Sequence, residues 1–181
     1  MKVRETSPVS YVVNVARLPQ KGMPVRIEAN GEQRRLLAEE HGLLDVGAFH
    51  ADLTVSKWKR NGVSVTGRVE AAIEQACVVT LEPVAARISE EIAQVYLPED
   101  SKLGRLGFHQ AGEILLDAEG PDGPETFSGD SIDVGALAEE FFALAIDPYP
   151  RKEGASIGTS GEEAEQGGQL REKLLPFTRK S

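Results

Sequence analysis

Two runs of alternating side chains dominate the chain. Phe49, Ala51, Leu53 and Val55 alternate with His50, Asp52, Thr54 and Ser56, and Val63, Val65, Gly67, Val69, Ala71 and Ile73 alternate with Ser64, Thr66, Arg68, Glu70, Ala72 and Glu74. A period of two places every apolar member on one face of a strand, so both runs are half-buried strands joined by a short turn. Asn61-Gly62 invites a two-residue turn, but that pairing sets Val55 against Arg68 and mixes apolar with polar. A three-residue loop Arg60-Asn61-Gly62, with Gly62 as the left-handed residue, restores the faces. It pairs Lys59 with Val63, Val55 with Gly67 and Leu53 with Val69, and it sets Trp58 beside Ser64, Ser56 beside Thr66 and Thr54 beside Arg68.

Other elements attach to this hairpin. Ser10 to Val15 and Val25 to Ala29 are short β-like runs separated by Pro19, Gly22 and Pro24. Asn30 with Gln33 three residues on forms a capping-box pattern, Leu36 and Leu37 supply an apolar face, and Gly42 ends the helix, with Arg34 and Arg35 on its polar side. A strand begins at Val84 and pairs antiparallel with its predecessor, and the phase change between Ile92 and the pair Val95 and Leu97 predicts a bulge near Glu90-Glu91. Residues 98 to 112 form a loop rich in Gly and charge, followed by short strands at Glu113 to Asp117 and at Thr126-Phe127. Asp133 caps a helix whose stripe is Leu137, Phe141, Leu144 and Ala145, ending before Pro148 and covering the sheet. The predicted fold is α+β, a curved antiparallel sheet or partly closed β-barrel with two main helices.

At 181 residues and 40% hydrophobic composition, the chain suits one core plus appendages. The domain is expected over residues 1 to 150, with 8 to 150 as its folded body. Residues 151 to 181 are expected to be a disordered C-terminal tail, since Gly, Ser and Glu dominate up to Gly168. Leu170 to Phe177 regains enough apolar character to dock as a short anchor. No apolar run approaches the roughly 20 residues of a membrane helix, and the first ten residues lack an apolar signal region, so a cytoplasmic location is expected. Cys77 stands alone and three histidines are scattered, which argues against a disulfide framework, a structural zinc or another cofactor.

The net charge of -9 conceals a split. Residues 1 to 68 hold 11 basic and 7 acidic side chains, whereas residues 69 to 150 hold 3 and 17. The N-terminal portion can meet a polyanion that the acidic portion repels, or the acidic surface simply confers solubility. Lys57, Trp58, Lys59 and Arg60, with Arg68 across the hairpin, form the one basic and aromatic cluster. There, cations contact phosphate and an exposed indole stacks on an unpaired base; the alternative is an indole that covers another element beside cations guarding an edge. Adjacent carboxylates at Glu90-Glu91 and Glu139-Glu140 form no acid/base pair, and Gly120 to Pro124 lacks the lysine of a phosphate loop. A thiol enzyme built on Cys77 would need His41, His50 or His109 beside it.

Cys77 to Val84, with sequence Cys-Val-Val-Thr-Leu-Glu-Pro-Val, closes the alternating run, and about fifty residues later Ser131 to Pro150 forms an acidic-capped amphipathic segment running into prolines. In this order and spacing the two blocks resemble the bacterial YceD family, the large ribosomal RNA subunit accumulation proteins, over most of residues 8 to 150. Pro176-Phe177 resembles the family's terminal Pro-Phe segment. Many members carry Cys-x-x-Cys here; Val79 and Thr80 stand at the basic and second-cysteine positions, so a role for a cysteine pair is not open to this chain. Cys77, Leu81, Glu82 and Pro83 match the motif, and a structural turn is expected of them. The resemblance implies a non-enzymatic factor supporting accumulation or processing of large-subunit ribosomal RNA in ribosome assembly. Its expected partners are that RNA or its precursor, or a basic ribosomal protein or assembly factor held by an acidic adaptor without RNA contact.

Overall fold

The computed structural model describes residues 6–99 and 125–155. The expectations for a loop at 98 to 112, a strand at Glu113 to Asp117, and a tail with its anchor at Leu170 to Phe177 lie largely or wholly outside these residues. In chain order the strands are β1 (Val12–Asn14), β2 (Met23–Glu28), β3 (Asp45–Trp58), β4 (Gly62–Ala76), β5 (Pro83–Pro98), β6 (Glu125–Phe127) and β7 (Ser131–Asp133). Helix α1 (Gly31–His41) lies between β2 and β3, and α2 (Val134–Leu144) follows β7.

Among the described residues, five strands form one sheet in the order β2-β3-β4-β5-β6, antiparallel except for β5 with β6, while β1 and β7 form a separate antiparallel ribbon. The fold is α+β, and the sheet is open. Its edges, β2 and β6, do not pair with each other, so of the two expected forms the barrel is not adopted.

The apolar faces of β3 and β4 coincide as expected, but the register differs by two residues. Trp58 pairs with Gly62, Lys57 with Val63, Val55 with Val65, Leu53 with Gly67 and Ala51 with Val69. The polar partners change accordingly, with Ser56 opposite Ser64, Thr54 opposite Thr66 and Asp52 opposite Arg68. The turn is Lys59–Asn61, and Asn61, with φ 60°, takes the left-handed position expected of Gly62. Asparagine tolerates that conformation. Gly62 is needed for another reason, because a Cβ there would lie 2.9 Å from the Tyr96 carbonyl oxygen of β5. At Gly67 a Cβ would lie 2.1 Å from the Asp52 carbonyl oxygen, so this pairing requires a residue without a side chain beside Asp52 and Leu53.

The β4–β5 pairing runs without a break from Val63↔Tyr96 to Ala76↔Pro83, so the bulge expected near Glu90-Glu91 is absent. The phase change has another cause: Ile88, Ile92 and Gln94 are buried on one face, and Leu97 is buried on the other near the strand's end. A register shift instead occurs in β3 between Val46 and Ala48, which brings Val46 and Phe49, three residues apart, into the same core.

Helix α1 forms as its sequence directs. Asn30 accepts from the Gln33 N–H, the Gln33 side chain accepts from the Asn30 N–H, and Gly42 closes the helix at φ 66°. Helix α2 packs on β4, β5 and β1, and its buried residues are Val134, Gly135, Leu137, Ala138 and Phe142. Its buried stripe is rotated from the expected one: Phe142 is fully enclosed, Phe141 is half-buried, and Leu144 faces outward. The rings of Phe49 and His41 meet Phe142 edge-on, each with centroids 5.4 Å apart, so β3, α1 and α2 converge on one side chain.

Asp133 fastens the N-terminal ribbon to α2. Its Oδ1 accepts from the N–H groups of Gly135, Ala136 and Tyr11, and its Oδ2 from the Ser10 hydroxyl at 2.5 Å. Partial burial raises its pKa, but these hydrogen bonds outweigh burial and hold it below the usual carboxylate range. A depressed folded-state pKa adds stability that is complete above the unfolded value and is lost as pH falls through the folded one. Asp133→Ala should therefore cost about 1–2 kcal/mol at neutral pH. The gap should narrow in acid; urea unfolding of both proteins at about pH 7 and about pH 2.5 checks this, and an unchanged gap would contradict the linkage.

Candidate nucleic-acid interface

The β3–β4 tip gathers most of the basic and aromatic cluster. Lys57 and Trp58 are consecutive on β3 and point to opposite faces, Lys59 and Arg60 lie in the turn, and Lys57, Trp58 and Lys59 are exposed. The indole is 39% exposed, neither buried as a core residue nor fully solvated. Lys57 and Lys59 form no ion pair among the described residues. Beside the tip opens a cleft of about 430 Å³, lined among others by Lys57, Trp58, Asn61, Pro98, Phe127 and Asp130. Backbone pairing holds its walls: β6 is bonded to β5, and the Val15 N–H donates to the Asp130 carbonyl oxygen at 2.8 Å.

Arg68 is not part of this group. It lies opposite Asp52, six residues from Trp58's position along β3, a separation of about 20 Å in an extended strand. Its guanidinium bonds to Glu91 at 2.8 Å, Asp52 is itself bonded to Arg26 at 2.7 Å, and His50 meets Glu70 at 2.8 Å. The middle of the polar face is therefore a ladder of hydrogen-bonded side-chain pairs, whereas lysines without such partners are at the tip.

Cys77, Leu81, Glu82 and Pro83 form the β4–β5 turn at the sheet's other end. The Cys77 N–H donates to the Glu82 carbonyl oxygen at 2.8 Å, the Leu81 N–H to the Cys77 carbonyl oxygen at 2.9 Å, and Pro83 pairs with Ala76. The Cys77 side chain is enclosed, and the Lys152 N–H donates to its Sγ at 3.3 Å. That hydrogen bond, with help from Thr80 and against the effect of burial, lowers the thiol pKa to about 6. Glu82 is held below its usual range by Lys152, whose Nζ lies 3.1 Å from its carboxylate. Sequence reasoning missed Lys152, which stands among loop residues with no pattern to announce a contact 75 positions away. The histidines lie elsewhere: His41 bonds to Glu139 at 2.9 Å, His50 to Glu70, and His109 is outside the described residues.

The turn also receives the chain leaving α2, because the Val78 N–H donates to the Pro150 carbonyl oxygen at 2.9 Å. The two sequence blocks are thus joined in space. A family model described as large ribosomal RNA subunit accumulation protein YceD matches residues 65–174, more than half of the chain. The chain belongs to the YceD family. No curated protein and no solved structure matches it. The YceD segment begins inside β4 and contains Arg68, the Cys77 turn, β5 and α2, so it starts later than the resemblance over residues 8 to 150 implied. Lys57, Trp58, Lys59 and Arg60 precede it. The family's description ties YceD proteins to accumulation of large-subunit ribosomal RNA. Among the described residues, no helix is long and apolar enough to cross a membrane.

Proposed function

We propose that this YceD protein supports accumulation of large-subunit ribosomal RNA as a non-enzymatic cytoplasmic factor, and that it contacts unpaired RNA with the hairpin tip at Lys57, Trp58, Lys59 and Arg60. The observation that carries this reading is the half-exposed Trp58 between two lysines that have no carboxylate partner among the described residues. An indole in that setting offers a stacking face to any base, and the ammonium groups offer phosphate contacts without sequence preference. The excess of basic over acidic side chains in residues 1 to 68 favours approach of this end. Arg68, neutralised by Glu91, has no part in the contact.

Replacing Lys57, Lys59 and Arg60 together with Ala should weaken binding to single-stranded segments of large-subunit RNA. The slope of log affinity against log salt should fall by about 0.7 for each phosphate that the variant no longer neutralises. Trp58→Ala should cost about 1–3 kcal/mol on single strands and leave duplex binding nearly unchanged. Filter binding at several salt concentrations measures both. A folded triple variant that binds like the parent would defeat the reading. The family match favours the second reading in that event: it leaves out the tip and covers the acidic portion, which suits an adaptor that holds a basic ribosomal protein or assembly factor without touching RNA.

A further inference from the structure

Leu81 has no evident purpose in the fold that surrounds it. Its backbone sits at φ 62°, a conformation that glycine or asparagine adopts at less cost than leucine, and its side chain is 77% exposed. Burial among the described residues therefore does not compensate for the strain. The neighbouring motif residues do have structural work, since Cys77 accepts the Lys152 N–H and Glu82 binds the Lys152 ammonium. An exposed apolar side chain on a strained backbone points to a contact outside the described residues.

Leu81 has apolar company. Val78 shares its turn and is 46% exposed, and Tyr149, 73% exposed, precedes the Pro150 carbonyl that bonds to Val78. Leu144, outward-facing at the end of α2, begins the segment that leads to Tyr149. Val78 and Leu81, with Tyr149 next to the Pro150 that bonds to Val78, give this turn exposed apolar side chains at the end of the sheet away from the hairpin tip.

We propose that the occupant of this patch is the chain's own segment Leu170 to Phe177. Its tether favours it. The chain is pinned at this turn by both contacts of Lys152, and only fourteen residues lie between Ala155 and Leu170. A chain of that length has a typical span of about 20 Å and a full reach of about 50 Å. The segment therefore faces the patch at an effective concentration on the order of millimolar, where even a weak contact is populated. Its composition fits: Leu170, Leu174, Leu175 and Phe177 are apolar, and Arg171 and Lys173, with Arg179 and Lys180 just after the segment, outnumber Glu172. The patch belongs to residues 69 to 150, where 17 acidic side chains face 3 basic ones. This proposal is independent of RNA binding at the opposite end.

Leu81→Gly in the full chain isolates the effect, because glycine suits the backbone at this position and removes only the side chain. Trypsin cleavage after Arg171 and Lys173 should become at least about threefold faster in this variant, since cleavage follows the population of the released segment. The sheet should stay resistant. Methyl signals of Val78 and Leu81 should move when Leu174 and Phe177 are both replaced with Asp, while those of Val63 and Val65 stay in place. Equal cleavage rates, or unmoved methyl signals at the patch, would overturn the proposal. So would protection that vanishes on about tenfold dilution of the full chain, which would assign the patch to a second copy.

Discussion

Gly135→Ala is expected to lower stability by about 3 kcal/mol, although the same change at an unobstructed helical position raises it by up to about 1 kcal/mol. Gly135 is the second residue of α2, where a Cβ would lie 2.0 Å from the Val9 carbonyl oxygen and 2.6 Å from the Tyr11 nitrogen. Both obstacles are backbone, and neither can step aside. The Tyr11 carbonyl accepts the Val134 N–H at 3.0 Å, the Tyr11 N–H is bonded to Asp133 at 2.8 Å, and Val12 pairs with Asp133. The methyl group therefore forces the ribbon off the helix or the helix off the sheet. Gly31→Ala provides the contrast, because a Cβ at that first helical position of α1 meets nothing within 4 Å. Urea unfolding of the two variants should show opposite signs. A Gly135→Ala protein as stable as the parent would mean that β1 and α2 do not cross so closely.

Phe142→Ala should cost about 3–5 kcal/mol, a large share of the about 5–15 kcal/mol that holds a typical domain together. The ring is fully enclosed and touches Phe49 of β3 and His41 of α1, so its removal opens a cavity where three elements meet. Phe141→Ala, one residue away and only half-buried, should cost clearly less. Thermal or chemical melts of the pair decide which ring is central. If Phe141→Ala proves the more damaging, α2 is rotated toward the stripe of Leu137, Phe141 and Leu144 that its spacing suggests.

What could be read from the sequence was local. Asn30, Gln33 and Gly42 determine the ends of α1 through contacts within a few residues, and all three act as their positions announce. Alternation identifies the buried face of β3 and β4, but sliding one strand by two residues preserves that face, so alternation cannot select the register. The observed register accommodates close backbone approaches at Gly62 and Gly67 that become visible only when β5 and β3 are in place. Alternation also fails to show that the break before Phe49 is a displaced pairing around Gly47. The candidate site divides similarly. Lys57, Trp58, Lys59 and Arg60 stay together because they are consecutive, whereas Arg68 joins them only through the expected register and leaves the group when the register moves.

The pairing of β1 with β7 has a consequence for how the molecule is made. Strands β2 to β5 are neighbours in both sequence and sheet, so each can add to the last as the chain emerges from the ribosome. Val12 to Asn14 must wait for Ser131 to Asp133, more than a hundred residues later. At about 5–20 residues per second, synthesis of the intervening chain takes on the order of ten seconds. Until α2 follows, Phe49 has no Phe142 to cover it. The nascent protein thus passes through a stage with a formed sheet and an uncovered apolar face, when holding by a chaperone has most to offer.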